Sequence, residues 1–377
     1  MNEPIQMVDL KSQYLKIKPE IDQALLSAVE GVAYINGPQV KSFAKSLQEY
    51  NKVTRAVTCG NGTDALQIAM MGLGFKPGDE VIVPAFTYIA TVEVIALLNL
   101  VPKFIDVKED TFELDYDQLE SIITEKTVGI VPVHLFGQCS NMETINAIAK
   151  KHNLAVIEDT AQAMGAEYIF KDGTKAFAGT VGDVGTTSFF PSKNLGCFGD
   201  GGALLTQNAE LGETLQIIAN HGQRQKYRHE TIGVNSRLDT TQAAVLEVKL
   251  KYLNDYSAAR QKVARKYDEA FANIDGFITP KKAEYSTHVY NQYTCRIKNG
   301  KRNELKIYLQ DKGIPSMVYY PIPVHLQEAY RVYGYNAGDF PIAERLCEEV
   351  LSFPIHTEMK DEVQDYIIEN IVNFFKY

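Results

Sequence analysis

Short apolar runs alternate along the chain with segments whose apolar residues recur every three or four positions. The runs at 55–60, 79–86, 101–107, 127–137 and 153–160 are apolar on both faces. Such runs are typical of parallel strands that are covered by helices on both sides of a sheet. The segments between them have the helical period, as in GTDALQIAMMGLG and NMETINAIAKKHN. The pattern therefore predicts an α/β fold with a doubly wound, mainly parallel sheet.

The pattern continues after this repeat and then changes. A strand is predicted from Thr186 to Phe190, followed by the strand ALLTQ and the helix LGETLQIIANH. Residues 240–274 have the period of one long helix. The strand VYNQYTCRI, the helix KRNELKIYLQDKG and a helical end from Lys360 follow. We expect a large domain over 1–250, and a bridging helix with a smaller C-terminal domain over 251–377.

Composition narrows the class of protein. The chain has 38 Lys and Arg against 47 Asp and Glu, a net charge of −9, so a nucleic-acid binder, which clusters cations, is not expected. The five cysteines form no CxxC pair, which argues against a disulfide framework or a metal site. The start, MNEPIQMVDLKSQ, lacks the apolar core of a signal peptide, and no stretch is apolar enough to span a membrane. We therefore expect a cytoplasmic protein without a metal.

Glycines precede a predicted helix directly after the first strand. In CGNGTDAL, Gly60 and Gly62 lead into Thr63, where the helix is expected to begin. Backbone N–H groups and the dipole at a helix N-terminus suit a phosphate. An ordinary helix cap, with Thr63 capping and Gly62 in the turn, is the alternative. Taken by itself, this segment favours the ordinary cap.

Charged side chains follow the carboxyl ends of two later strands. Glu158 and Asp159 end the run NLAVIEDT, where a carboxylate binds a metal, acts as a base, pairs with a protonated ring nitrogen or caps a helix. Lys193 lies in PSKNLG, after the strand TTSFF. A lysine shielded from water favours its neutral amine, which forms Schiff bases with carbonyl groups. A solvated loop lysine is the ordinary alternative.

A phosphate cup, a strand-end aspartate and a strand-end lysine are together what a pyridoxal-phosphate site needs. Asp159 would keep the pyridine nitrogen protonated, so that the ring can accept electrons. Lys193 would hold the cofactor aldehyde covalently and later move protons. The phosphate and the ring face would be bound by Gly62, Thr63, Ser188 and Tyr88.

Seven motifs occur in an order that resembles a known enzyme family. They are GNGTDAL, PAFTYIAT, PVHLFGQ, EDTAQA, SFFPSKNLG, GDGGALLT and GVNSRLDTTQAA. Together they resemble the DegT-type nucleotide-sugar aminotransferases, which are fold-type I pyridoxal-phosphate enzymes, over nearly the whole chain. The resemblance implies a mainly parallel mixed sheet between helices, with a smaller α+β C-terminal domain.

The resemblance also assigns roles to residues at matching positions. Lys193 is similar to the lysine that binds the cofactor aldehyde, and Asp159 to the partner of the pyridinium nitrogen. Gln162 matches the neighbour of the ring 3-oxygen, while Thr63 and Ser188 match phosphate ligands.

The resemblance further implies amino transfer within a homodimer. Asn235, in GVNSRLD, matches a phosphate ligand that the opposite subunit supplies, so the active sites would be shared. Dehydratases of the family carry histidine in place of the lysine, so Lys193 favours amino transfer. The implied donor is L-glutamate. The implied acceptor is a keto-sugar nucleotide for a surface polysaccharide such as an O-antigen.

A cationic stretch, HGQRQKYRHETIGVNSRLD, is the candidate for binding the sugar nucleotide. It contains His229 and Arg237, of which Arg237 is the better anion ligand because it lies beside Asn235. For Lys226 and Arg228, in the same stretch, a solvated loop is the alternative. The stretch resembles enzymes for UDP-linked 3-keto-N-acetylglucuronate, and also those for dTDP-linked 3-keto-6-deoxy or 4-keto sugars. A later aromatic segment either lines the sugar pocket or packs the small domain with Tyr319, Tyr320 and His325.

Two other functions share these features. A transaminase for a cyclitol or another small ketone would use the same chemistry. From a different class, a regulatory protein could bind pyridoxal phosphate without turnover, but the Lys193–Asp159 pair and the lack of a basic helix-turn-helix segment favour an enzyme. Cys59 and Cys197, near the two motifs, receive no role.

Overall fold

The computed structural model describes residues 4–376, in which strands and helices alternate through the first half of the chain. The helices are α1 (Leu10–Lys16), α2 (Lys18–Glu30), α3 (Pro38–Asn51), α4 (Gly62–Gly72), α5 (Ala90–Leu97), α6 (Tyr116–Leu119), α7 (Met142–His152), α8 (Ala209–Ala219), α9 (Thr240–Leu250), α10 (Leu253–Phe271), α11 (Arg302–Asp311), α12 (Pro341–Glu349) and α13 (Asp361–Lys376). The strands are β1 (Arg55–Cys59), β2 (Glu80–Pro84), β3 (Val101–Ile105), β4 (Thr127–Ile130), β5 (Ala155–Asp159), β6 (Glu167–Ile169), β7 (Lys175–Phe177), β8 (Val184–Ser188), β9 (Gly202–Thr206), β10 (Gln223–Gln225), β11 (Arg228–His229), β12 (Phe277–Ile278), β13 (Tyr293–Ile297) and β14 (Val350–Phe353).

Seven of the strands in residues 4–376 form the main sheet, in the order β1-β9-β8-β5-β4-β2-β3. Strands β8, β5, β4, β2 and β3 are parallel neighbours. Strand β9 runs antiparallel to both β1 and β8. Every strand of the sheet except β9 therefore points the same way, and their carboxyl ends meet at one edge. In sheets of this type, ligands bind beyond that edge.

Apolar side chains cover both faces of the main sheet. Along β2, Val81 and Val83 enter the cluster that packs against α4 and α5, whereas Ile82 enters the cluster that packs against α7. This alternation follows from the two-residue period of a strand. Because both faces are buried, the strand sequences are apolar throughout instead of alternating between apolar and polar residues.

A separate apolar cluster lies in the last third of the chain. There α10, α11 and α13 pack on the three-stranded antiparallel sheet β12-β13-β14, and the side chains of Phe271, Leu305 and Phe353 are fully buried. This arrangement supports the expected small α+β unit, while its boundary at residue 250 stays a prediction. In the described part of the chain, no helix is both long and apolar enough to cross a membrane.

The element predictions agree with the structure except at three places. The first five apolar runs contain β1 to β5, but the run at 127–137 is a strand only as far as Ile130, and Leu135–Gly137 form a short 3₁₀ helix. Strand β8 ends at Ser188 and not at Phe190, because its pairing with β9 ends where Ser188 faces Gly202. The single long helix predicted over 240–274 is wrong. It is two helices, α9 and α10, with a break at residues 251 and 252.

Candidate active site

A cavity of about 630 Å³ opens at the carboxyl edge of the main sheet. Its wall is built from the start of α4, the segment after β2, the ends of β5 and β8, the loop after β8 and a segment before α12. The predicted site residues that line it are Gly62, Thr63, Tyr88, Asp159, Gln162, Ser188, Lys193, Tyr319 and Tyr320. The fold thus gathers residues from five separate motifs at one place.

The N-terminus of α4 forms a cup beside the end of β8. Asn61 caps the helix, since its Oδ1 accepts a hydrogen bond from the Asp64 N–H at 2.8 Å. Gly62 packs so closely on the end of β8 that a Cβ there would lie 2.7 Å from the Ser188 Cβ. A side chain at position 62 would therefore push Ser188 away. The glycine keeps the Ser188 hydroxyl next to the helix N-terminus, where an anion binds favourably.

Asp159 ends β5 with its carboxylate in the cavity wall and only 6% of the residue exposed. Its Oδ2 accepts a hydrogen bond from the Thr91 hydroxyl at 2.8 Å, and its Oδ1 accepts one from the Ala161 N–H at 3.1 Å. Each oxygen thus has one protein donor and retains a lone pair. The carboxylate can therefore accept a further hydrogen bond from a group in the cavity.

Lys193 lies five residues beyond the end of β8, in the same cavity wall. Burial lowers the pKa of Lys193 to about 8, although the negative charge of Asp159 acts in the opposite direction. A substantial share of this amine is consequently neutral near physiological pH. The structure thus supports a reactive amine at this position over a solvated loop lysine.

The loop that carries Lys193 is held at several points. The Lys193 N–H donates to the Phe190 carbonyl at 2.9 Å, and the Asn194 side chain donates to the Val289 carbonyl at 3.0 Å. From α9, the Nζ of Lys249 donates to the Gly196 carbonyl at 2.6 Å. Lys249 is 3% exposed, and burial lowers its pKa to about 8. The loop is therefore fixed on both sides of Lys193.

Gln162 connects two walls of the cavity. Its Oε1 accepts from the Phe136 N–H at 2.7 Å, and its Nε2 donates to the Tyr320 hydroxyl at 2.9 Å. The Tyr320 ring lies 6.0 Å from the ring of Tyr88, which is 55% exposed. One N–H of the Gln162 amide remains for a ligand, and Tyr88 presents a free aromatic face.

Glu158 points away from the cavity and binds a buried histidine. Its Oε2 lies 2.8 Å from the Nε2 of His134, and both side chains are fully buried. The carboxylate also accepts from the N–H groups of Gly179, Val181 and Gly182 at 2.6–2.9 Å. Burial by itself would raise the pKa of Glu158, but these hydrogen bonds outweigh it, so the pKa lies below its ordinary value. Of the two strand-end carboxylates, Asp159 faces the cavity, whereas Glu158 ties the end of β5 to His134 and to the segment 179–182.

The predicted residues of the cationic stretch lie outside the cavity of a single chain. His229, at the end of the β10–β11 hairpin, and Asn235 are exposed, while Arg237 is partly buried. Between the last two, the Ser236 hydroxyl accepts from the Gly60 N–H at 2.8 Å and donates to Asp64 at 2.6 Å. The stretch thus passes directly beside the cup of its own chain while Asn235 faces outward.

The structure does not bring His325 into the cavity. Its side chain is fully buried, with Nε2 3.1 Å from Glu344 Oε1 and its ring 4.7 Å from the Phe340 ring. The assignment of His325 to a sugar pocket therefore gives way to the packing alternative. Tyr319 and Tyr320, from the same segment, do line the cavity.

Several cavity residues did not emerge from the sequence. Thr87, in PAFTYIAT, lines the cavity one residue before the predicted Tyr88. Asp200, the aspartate of GDGG, lies near the motif that contains Lys193 and also lines the cavity. Gln292 also lines the cavity, but no local pattern marks it. Within residues 4–376, no three His, Cys, Asp or Glu side chains form a candidate metal site.

These residues fit pyridoxal phosphate. The Gly62–Ser188 contact builds a cup for an anion, Asp159 retains lone pairs for a ring nitrogen, and Lys193 supplies an amine of lowered pKa. An exposed aromatic face lies beside them. The fold and the site define the class of fold-type I pyridoxal-phosphate transferases.

Comparison with known proteins gives the family. A model of the DegT/DnrJ/EryC1/StrS aminotransferase family matches residues 15–372, and the chain belongs to this family. Similar solved structures hold pyridoxal phosphate or its amine form. The protein is therefore a pyridoxal-phosphate-dependent sugar aminotransferase.

Individual relatives cover almost the full chain. The chain is 44% identical to the Pleiotropic regulatory protein of Geobacillus stearothermophilus, with both chains covered completely. It is 43% identical to the UDP-2-acetamido-2-deoxy-3-oxo-D-glucuronate aminotransferase of Pseudomonas aeruginosa, over 93% of this chain and 95% of the relative. Other relatives are named as transaminases of dTDP-linked amino sugars. Among solved structures, S. venezuelae DesV in complex with a ketimine intermediate superposes with a TM-score of 0.96 at 37% identity, with full coverage of both chains.

Proposed function

We propose that this protein moves an amino group from L-glutamate to a keto-sugar on a nucleoside diphosphate, with UDP-2-acetamido-2-deoxy-3-oxo-glucuronate as the first choice. The observation that carries amino transfer is the pairing of Lys193 and Asp159 in one cavity. The choice of sugar is supported by the name of the Pseudomonas relative. A dTDP-linked 3-keto-6-deoxyhexose or a 4-keto sugar is the alternative acceptor, which the dTDP-sugar relatives support.

The residues of the chain divide the work of this reaction. When bound, pyridoxal phosphate supplies a ring that stabilises negative charge at the carbon bearing the amino group. Asp159 would accept a hydrogen bond from the protonated ring nitrogen, and the remaining amide N–H of Gln162 would be available to the ring oxygen. Gly62, Thr63, Ser188 and Tyr88, which line the cavity, would hold the phosphate and the ring face.

Lys193 is the general base and acid. Its Nζ would take up the proton from the α-carbon of the amino donor and would then donate it to the cofactor carbon that is joined to the same nitrogen. A pKa of about 8 suits both steps, because such an amine takes up and gives up protons readily near neutral pH. Tyr319 and Tyr320 form the wall against which the sugar binds.

A single chain supplies too little positive charge for its ligands. Among the described lining residues, Lys193 is the one cation, whereas Asp64, Asp159 and Asp200 are acidic. Phosphate and nucleoside diphosphate groups need additional donors. We infer that a second copy of the chain contributes Asn235 to the cofactor phosphate, and Arg237 and His229 to the sugar nucleotide, in a homodimer.

Mixing two inactive variants tests this shared site. Lys193→Ala and Asn235→Ala should each have low activity. In a hybrid dimer, one site carries both changes and the other carries neither. Equal amounts, unfolded and refolded together, should recover about one quarter of the wild-type activity, since about half of the dimers are hybrids. If the mixture stays as inactive as its components, Asn235 does not act across a dimer.

The catalytic proposal has a direct optical test. The purified protein should be yellow, and L-glutamate should convert its spectrum to that of the pyridoxamine form, whereas Lys193→Ala should not convert. Keto-sugar nucleotides should then reverse the change, and the acceptor that reverses it fastest identifies the sugar. Arg237→Ala should slow the sugar half-reaction far more than the glutamate half-reaction. An equal loss in both would remove the role given to Arg237.

A regulatory role is the second candidate function. It is favoured by the name of the Geobacillus relative, which is a regulatory protein. A protein that binds pyridoxal phosphate but shows no spectral change with L-glutamate or any other amino donor would support it. The proposed enzyme would act in the cytoplasm, in the synthesis of a surface polysaccharide.

A further inference from the structure

Two threonine hydroxyls are linked by hydrogen bonds to Asp159. Thr91, in the first turn of α5, is fully buried, and its Oγ1 lies 2.8 Å from Asp159 Oδ2. Thr87 is 3% exposed, and its Oγ1 lies 3.3 Å from the Oγ1 of Thr91. Thr87 and Asp159 also line the cavity, but Thr91 does not. Thr91 therefore contacts the carboxylate from the protein interior, outside the lining of the cavity.

The direction of these hydrogen bonds follows from the groups involved. An ionised carboxylate has no proton, so Thr91 must donate its single hydroxyl proton to Asp159. In the hydrogen bond between the two threonines, Thr87 must therefore be the donor and the Thr91 oxygen the acceptor. The result is a chain of donors that runs from Thr87 through Thr91 to Asp159. Such a chain polarises each successive bond in the low dielectric of the interior.

The carboxylate of an aspartate rotates about a broad torsion unless its oxygens are held. Here the Ala161 N–H holds Oδ1 and the Thr91 hydroxyl holds Oδ2. The Ala161 N–H belongs to the backbone and is not removed by a side-chain substitution, whereas Thr91→Val replaces the hydroxyl with a methyl group. Of the two donors that set the plane of the carboxylate, Thr91 is therefore the one that mutation can test.

We propose that Thr91 is a positioning residue that fixes Asp159 so that its free lone pairs meet the protonated ring nitrogen. This inference rests on the role of Asp159 in the proposed function. Thr91 touches neither the cofactor nor the substrate, and it acts through Asp159. Thr87 strengthens its donation from one step further away.

Two substitutions at position 91 separate the hydroxyl from its packing. Thr91→Val keeps the shape and removes the O–H, whereas Thr91→Ser keeps the O–H and removes the methyl group. Hydrogen bonds to charged groups correspond to about a 10- to 100-fold change in an equilibrium constant. Thr91→Val should therefore weaken the equilibrium binding of pyridoxal phosphate by about that factor. Thr91→Ser should stay within about threefold, and Thr87→Val should fall between them.

The measurements distinguish positioning from a structural role. Binding of pyridoxal phosphate is followed by fluorescence titration of cofactor-free protein, and the melting temperature of the same protein is recorded. For positioning, affinity falls in Thr91→Val and is rescued in Thr91→Ser, while the melting temperatures of the two variants remain similar. In turnover, Thr91→Val should lower kcat more than it raises KM for glutamate. Equal affinity losses in Val and Ser, or no loss in Val, would overturn the proposal.

A double-mutant cycle ties the effect to Asp159. In an Asp159→Ala background, Thr91→Val should cost less than about twofold in affinity, because the carboxylate that it orients is gone. If Thr91→Val lowers the affinity in the Asp159→Ala background as much as it does in the wild type, Thr91 does not act through Asp159. If Asp159→Ala itself leaves affinity and the spectrum unchanged, the proposed role of Asp159 fails. If Asp159→Ala weakens binding and Thr91→Val does not, only the role of Thr91 fails.

Discussion

The Lys193 amine should react at a much lower pH than an ordinary lysine. Burial lowers its pKa from 10.5 to about 8. At pH 7, about one tenth of such an amine is neutral, against about 0.03% for an unperturbed lysine. The neutral form attacks carbonyl carbons, so the environment of Lys193 gives it about a 300-fold larger reactive fraction. This advantage disappears above the ordinary pKa, where both amines are neutral.

Competitive labelling of cofactor-free protein measures this fraction directly. Acetic anhydride is uncharged, so its reaction with Lys193 reports the amine and not a titration of the reagent. The labelled peptide is quantified by mass spectrometry from pH 6 to pH 11, with a free lysine derivative in the same tube as reference. Labelling of Lys193 should rise about tenfold per pH unit below 8 and reach a plateau above it.

Asp159→Asn provides the matched variant. The Asp159 charge raises the pKa of Lys193, against the effect of burial. Removing that charge should therefore shift the midpoint of labelling below the wild-type value. A wild-type profile that climbs without a plateau to pH 10, or a midpoint that rises in Asp159→Asn, would refute the reasoning from burial and charge.

Three further predictions concern the groups around the site. The pKa of Lys249 is about 8 in the folded protein, against 10.5 in the unfolded chain. Between pH 8 and pH 10.5 the unfolded chain therefore binds more protons than the folded protein, so the free energy of unfolding rises with pH in this range. Lys249→Met should remove about 3 kcal/mol of this rise, measured by urea unfolding at a series of pH values. An unchanged dependence of the free energy of unfolding on pH would contradict this prediction. Gly62→Ala should weaken pyridoxal-phosphate binding at least about tenfold, because its Cβ would lie 2.7 Å from the Ser188 Cβ, whereas Gly31→Ala, at a helix end away from the cavity, should bind normally. Glu158→Gln should lower the free energy of unfolding by about 3 kcal/mol at pH 7. Since the folded pKa of Glu158 is depressed, its contribution is present above its unfolded pKa and is lost as the pH falls through the folded pKa, so a variant that retains the wild-type acid dependence would refute this.

The framework of the site could be predicted because it depends on local pattern. Strands buried on both faces require apolar runs, and those runs end where polar residues meet the edge of the sheet. Asp159 and Lys193 were therefore found from the ends of β5 and the β8 segment. The cup at Gly62 was ambiguous from the sequence, because its meaning depends on Ser188, a distant residue that packs on it.

The features that escaped prediction depend on distant partners. Thr91 and Asp159 are 68 residues apart, and nothing near Thr91 signals its acceptor. His325 lies in an aromatic segment that resembles a pocket wall, but its partner Glu344 sits on α12, so the side chain is satisfied in the interior. The break between α9 and α10 is marked by neither Pro nor Gly, and the helical period continues across it.

The pairing of β1 with β9 has a consequence for synthesis of the chain. Arg55 pairs with Thr206, so the first strand leaves the ribosome about 150 residues before its neighbour exists. At a translation rate of about 5–20 residues per second, β1 stays unpaired for about 7–30 s. During this time it is an apolar segment to which chaperones can bind. Nascent chains that end before Gly202 can already assemble β2, β3, β4 and β5. They should not yet retain pyridoxal phosphate, because β9 closes the cup only when Gly202 packs against Asn61.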